Sequence, residues 1–154
     1  MPLDEMLQQV RSFHRRVGAP VSESPCLIPG NRTEAARLGS QLLTLSTATA
    51  NLGASSNDLL LCRTAMLLDE VAEWLFAHAA GNLAVAADAW ADHLYVLLGD
   101  AVTAGLPGDR LFAEIHQANL TKQIGQLSWT GQAVKGPDFQ PPEVGHLLER
   151  RGTR

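Results

Sequence analysis

The sequence predicts an all-α protein, a helical bundle built around a central antiparallel helix hairpin. Three observations carry this. Apolar residues recur at helical spacing along most of the chain, and no run alternates apolar and polar residues as a half-buried strand would. The segments 58–79 and 83–104 are apolar on nearly every face. Only Ala80, Gly81 and Asn82 separate them, and so short a turn makes the two helices pack antiparallel.

The elements follow in order. Leu3, Met6, Leu7, Val10, Phe13 and Val17 define a first helix over 3–17, stopped by Gly18, and Pro20 and Pro25 keep the next stretch irregular. Asn31 or Thr33 caps a second helix that carries Ala36, Leu38, Leu42, Leu43 and Leu45 and runs to about Leu52. Gly53 to Asn57 reads as a break, after which Ser56, Asn57 or Asp58 caps the third helix. The fourth helix ends at Gly105-Leu106-Pro107-Gly108, and Asp109 caps a fifth over about 109–121. Residues 122–142 hold Gly, Pro and Trp without periodicity, and Pro142 to about Arg151 forms a last short helix. The expectation is one domain, 1–154, with an irregular tail from 122.

Composition narrows the function. The 154 residues are 45% hydrophobic, enough for a real core, and only 18% charged, so much helix surface is expected to be covered by other helices or a second subunit. A net charge of -4 argues against nucleic-acid or anionic-membrane binding, which needs a basic face. Cys26 and Cys62 fit no zinc or redox pattern. Residues 1–16 lack the apolar run of a signal peptide, and no stretch approaches the roughly 20 apolar residues of a membrane span. A cytoplasmic protein is expected.

Five acids stand out against this apolar background. Asp69, Glu70 and Glu73 lie on one strip of the third helix, with spacings of three and four residues, and Asp88 and Asp92 share a face of the fourth. The two sets flank the Gly81 turn and can face each other. Carboxylates gathered among apolar helices repel and lose solvation, so they need a counter-charge. Arg63 is about 9 Å along the helix from Asp69 at 1.5 Å per residue, too far to serve. An all-oxygen set favours Mg²⁺ or Mn²⁺ over zinc.

At these residues the sequence resembles the all-α nucleoside triphosphate pyrophosphohydrolases, the superfamily of MazG-type enzymes, phosphoribosyl-ATP pyrophosphohydrolase and the dimeric dUTPases. The acidic signatures are Asp69-Glu70-Val71-Ala72-Glu73 and Asp88-Ala89-Trp90-Ala91-Asp92 with Tyr95 following. Phe13-His14 through Gly18-Ala19-Pro20, His116 through Asn119-Leu120-Thr121-Lys122, and Val134-Lys135-Gly136-Pro137 through Pro141-Pro142 look like further motifs of one branch, in the same order. Two positions depart: Asp69 stands where Glu is common, and Ala89 where many members carry an acid.

The resemblance implies hydrolysis of a nucleoside or deoxynucleoside triphosphate to a monophosphate and pyrophosphate, in house-cleaning of the nucleotide pool, by a homodimer or higher homo-oligomer. It implies that Glu70, Glu73, Asp88 and Asp92 hold Mg²⁺, with Mn²⁺ as a substitute, and that Asp69 activates water. Lys122 and Lys135 would face phosphates and Asn119 would bond the base, sugar or phosphate. Trp129 has two readings, stacking on a base or closing the bundle, and the second is the expectation; Trp74, Trp90 and Tyr95 are expected in the core or at a dimer contact. The alternatives are hydrolysis of phosphoribosyl-ATP and a non-catalytic helical scaffold that retains the acids.

Overall fold

The computed structural model describes residues 1–149. It contains helices α1 (Leu3–Val17), α2 (Arg32–Ser56), α3 (Leu59–Ala80), α4 (Leu83–Ala104), α5 (Gly108–Leu120) and the short α6 (Gly145–Leu148). Among the described residues, extended pairing is limited to an isolated antiparallel bridge between Leu127 and Ala133. The all-α class is therefore as predicted. The chain groups into two compact units, one of Ser24–Ala104 and one of Met1–Glu23 with the residues from Gly105 onward.

In the first unit α3 packs against both α2 and α4. The α2–α3 contact is built from small residues. Gly39, Ser46 and Gly53 are the buried positions of α2, and their seven-residue spacing brings them to one narrow stripe after every two turns. A Cβ added at Gly39 would lie 2.9 Å from the Phe76 ring, and one at Gly53 would lie 2.9 Å from the Cys62 backbone nitrogen. Between them the Ser46 hydroxyl donates to the Ala65 carbonyl at 2.9 Å. Ala65 and Ala72, also seven apart, are the buried residues that α3 contributes there. Two backbones can approach this closely only because nothing larger stands between them.

That contact corrects the predicted break at 53–57. The second helix runs through Gly53 to Ser56. A helical glycine costs about 1 kcal/mol relative to alanine, but here it admits Cys62 rather than ending the helix. The stop comes at Asn57, in the left-handed region at φ 52°, a conformation asparagine tolerates. Of the three residues offered as the α3 cap, Asp58 serves: its carboxylate accepts from the Leu61 N–H at 3.0 Å.

The hairpin forms as predicted. Gly81 is left-handed at φ 71°, and the Asn82 N–H closes onto the Ala77 carbonyl. At the far end of the hairpin, Arg63 of α3 crosses to α4, pairing with Asp100 at 2.6 Å and donating to the Val96 carbonyl at 2.6 Å. Gly99 makes room, since a Cβ there would lie 2.6 Å from the guanidinium. The opposite face of α4 is uncovered. Tyr95, Leu98 and Val102 are 79%, 54% and 82% exposed, and Ala84, Ala87 and Ala91 continue the same stripe at helical spacing.

The second unit holds α1, α5 and the chain from 121. Gly18, at φ 80°, ends α1 as predicted. Asp109 does not cap α5. Pro107 takes that position, without a side-chain cap, and Asp109 sits in the first turn, where its charge still favours the positive helix end. After α5 the chain turns back as a narrow hairpin, joined by the Gln123 N–H to the Val134 carbonyl at 3.0 Å and the Ser128 N–H to the Gln132 carbonyl at 2.7 Å. The predicted terminal helix shrinks to Gly145–Leu148, and its expected end at Arg151 lies outside the described residues. Among the described residues no helix is long and apolar enough to cross a membrane.

Candidate functional site

The five acids all belong to the α3–α4 hairpin. Asp69 and Glu70 are half-buried, whereas Glu73, Asp88 and Asp92 are exposed. The strip therefore opens toward solvent instead of lying wholly between apolar helices. The difference from expectation follows from the packing of α3, whose Ala65 and Ala72 take the buried side.

The strips do face a common region. Partial burial pushes the Glu70 carboxyl above its ordinary value, and the charges of Glu73, Asp92, Asp69 and Asp88 raise it further, in that order. Both α4 acids act on Glu70 together with both of its α3 neighbours. No cation relieves this field from within the hairpin: Arg63, its single basic residue apart from histidines, is committed to Asp100 and Val96. His93, the residue after Asp92, is half-buried.

Among the described residues, however, no three acid, histidine or cysteine side chains converge closely enough to form a metal-ligand set. The backbone brings the acids to one side, but their carboxylates are not drawn together. By donor chemistry the set still fits a hard divalent ion: five carboxylates, no thiol, and three exposed side chains that can turn inward without breaking a hydrogen bond or ion pair.

The other predicted contacts belong to the second unit. Asn119 is half-buried in the last turn of α5, and its carbonyl accepts from the Lys122 N–H at 3.1 Å. Lys122 lines a cleft of about 550 Å³ together with Arg16, Thr121, Gln123, Gly136 and Asp138. Lys135 does not line this cleft. Its ammonium lies 4.8 Å from the centre of the Phe139 ring, a cation–π contact that already engages it. His116 packs its ring parallel to Phe112, at 6.2 Å between centres.

The aromatic expectations divide. Trp74 is half-buried and lies 4.5 Å from His78, ring centre to ring centre. Trp90 is 41% exposed. Trp129 does not close the bundle: it is 98% exposed at the tip of the hairpin. The tip is held by the Ser128 hydroxyl, which accepts from the Thr130 and Gln132 N–H groups, so the tight turn leaves the indole no packing partner. The predicted site residues also omit Arg16. It occupies a spacer position between His14 and Gly18, where no motif marks it.

Comparison with known proteins bears on the acidic hairpin. No curated protein matches the chain well enough to serve as a relative. Residues 44–119 match the sequence profile of the phosphoribosyl-ATP pyrophosphohydrolase family. That segment spans the second half of α2, all of α3 and α4, and α5 as far as Asn119, and so includes all five acids. Over this acid-bearing segment the chain is similar to that family, which belongs to the all-α, MazG-like nucleoside triphosphate pyrophosphohydrolase superfamily.

Proposed function

We propose that the protein hydrolyses a nucleoside or deoxynucleoside triphosphate to the monophosphate and pyrophosphate with the help of Mg²⁺, for which Mn²⁺ can substitute. The observation that carries the proposal is the half-buried Glu70, which sits in the summed field of four other carboxylates on a helix pair whose one arginine is used elsewhere. Acids maintained in mutual repulsion call for an external cation.

Glu70, Glu73, Asp88 and Asp92 would hold the ion. Bound there, it would offset the charge on the phosphate oxygens. Asp69, half-buried next to Glu70, orients the attacking water and accepts its proton as the oxygen bonds to the α-phosphorus and pyrophosphate departs. Lys122 and Lys135 neutralise phosphate, which requires Lys135 to leave the Phe139 ring, and Asn119 bonds the nucleotide. A second copy of the chain covers the open α4 face, making a homodimer. The support is the continuous stripe of Ala84, Ala87, Ala91, Tyr95, Leu98 and Val102, which would otherwise leave apolar surface in water.

The experiment is a panel of canonical, deoxy and modified triphosphates with Mg²⁺ and with Mn²⁺, read as pyrophosphate release. Wild-type turnover that is lost in Glu73→Ala and in Asp92→Ala supports the proposal; full activity in both variants rejects it. The second reading is hydrolysis of phosphoribosyl-ATP, favoured by the family matched over residues 44–119. Including that compound in the panel separates the two, because each reading names a different preferred substrate.

A further inference from the structure

Nine cationic side chains lie among the described residues. Six are engaged. Arg11 and Arg15 pair with Glu23, Arg37 with Glu34, and Arg63 with Asp100. Arg110 donates to the Leu147 carbonyl, and Lys135 sits on Phe139. The other three, Arg16, Arg32 and Lys122, make no side-chain hydrogen bond, ion pair or ring contact among the described residues. Two of these three, Arg16 and Lys122, line the same cleft.

The cleft is a built feature of the second unit. Arg16 stands in the last turn of α1, and its carbonyl accepts from the Gly125 N–H at 3.2 Å, tying the helix end to the turn that follows Lys122. Thr121 is fixed on two sides: its hydroxyl donates to the Ala118 carbonyl at 2.8 Å and accepts from the Gln140 N–H at 2.9 Å. Gln123 is held through its N–H by Val134, and its side chain lies over Gly136, where a Cβ would come 2.6 Å from it. The volume, about 550 Å³, is that of a small-molecule site.

The charges show what the cleft takes. Asp138 is its one acidic lining residue, and it forms no ion pair with either cation. Two cations therefore face one uncommitted carboxylate in a chain whose net charge is -4. Arg16 offers a planar fork suited to two phosphate oxygens, and Lys122 offers a point charge beside it. We infer that this cleft binds a phosphate chain, with Arg16 as a contact equal in weight to Lys122. The ligand is the polyphosphate of the substrate or the released pyrophosphate. That identification rests on the proposed reaction, whereas binding of a phosphate chain to the cleft does not.

The test is calorimetric titration of the full chain with inorganic pyrophosphate, and separately with orthophosphate, both in EDTA. Pyrophosphate should bind at least tenfold more tightly than orthophosphate. Arg16→Ala and Lys122→Ala should each weaken it tenfold or more, and Arg16→Lys should recover part of the loss. Arg32→Ala, which removes the unengaged cation outside the cleft, should change nothing. In turnover, Arg16→Ala should raise KM and relieve pyrophosphate inhibition more than it lowers kcat. Glu73→Ala should bind metal-free pyrophosphate like the wild type, so failure of the acidic site and failure of the cleft are told apart. Wild-type affinity in both Arg16→Ala and Lys122→Ala, no binding to the wild type, or equal affinity for the two anions would overturn the inference.

Discussion

Replacing Glu70 by Gln tests the electrostatic argument directly. The change keeps the side-chain shape and removes one charge from a set of five. Like-charged pairs on a helix surface cost about 0.2–0.5 kcal/mol each. Glu70 faces four such neighbours, so on that scale the relief is about 1–2 kcal/mol, with the desolvation of the half-buried carboxylate adding to it. For a chain of this size 1 kcal/mol moves the melting temperature by roughly 2–4 °C. The metal-free variant should therefore melt roughly 2–8 °C above the wild type at neutral pH.

The pH dependence has a definite sign. The folded-state carboxyl is raised above its unfolded value of 4.5, so the native protein holds the proton more firmly. The stability this group contributes is fully present below pH 4.5 and is lost as pH rises through the raised value. The advantage of Glu70→Gln should accordingly vanish at about pH 4 and grow toward neutrality. Saturating Mg²⁺ should reverse the order at neutral pH. At one hundred times its dissociation constant an ion adds about 2.7 kcal/mol, roughly 5–10 °C, to the wild type and much less to the variant. Scanning calorimetry with EDTA and with Mg²⁺ at several pH values measures all of this. Equal metal-free melting temperatures, or an equal Mg²⁺ shift in the two proteins, would refute the reasoning.

Four further outcomes are expected. Gly53→Ala gains about 1 kcal/mol of helix propensity but sets a methyl 2.9 Å from the Cys62 backbone; overpacking of about 1–3 kcal/mol should win and lower the urea midpoint. Gly39→Ala, whose clash is with the Phe76 ring, should cost less in the same titration because a side chain can turn aside. Arg63→Ala strands Asp100 and the Val96 carbonyl and should cost about 2 kcal/mol by urea unfolding, while replacing both Arg63 and Asp100 by apolar residues should return most of it. Leu98→Glu with Val102→Glu places charge on the open α4 face and should convert the proposed dimer to monomer on a sizing column with light scattering, without loss of helicity by circular dichroism.

The sequence alone determined the helices and the order of the acids. Apolar spacing located α1 and α4 to the residue, Gly18 and Gly81 marked real stops, and spacings of three and four put Asp69, Glu70 and Glu73 on one strip. These features are local: periodicity and capping act within a few residues and need no knowledge of the rest of the chain. Only tertiary structure decided which partner each surface meets. Gly53 looked like a helix breaker because its reason for being glycine, the backbone of Cys62, lies across a helix interface. Lys135 was marked as a phosphate ligand by its motif but found Phe139, and Trp129 was expected inside but stands exposed on a hairpin whose turn is closed by Ser128. Arg16 carries no motif and became visible through the carboxylates that its neighbours found and it did not. Periodicity states which face of a helix is apolar or charged; the contacts that satisfy or forsake that face come from residues far away in the chain, and their identity is settled only when the helices pack.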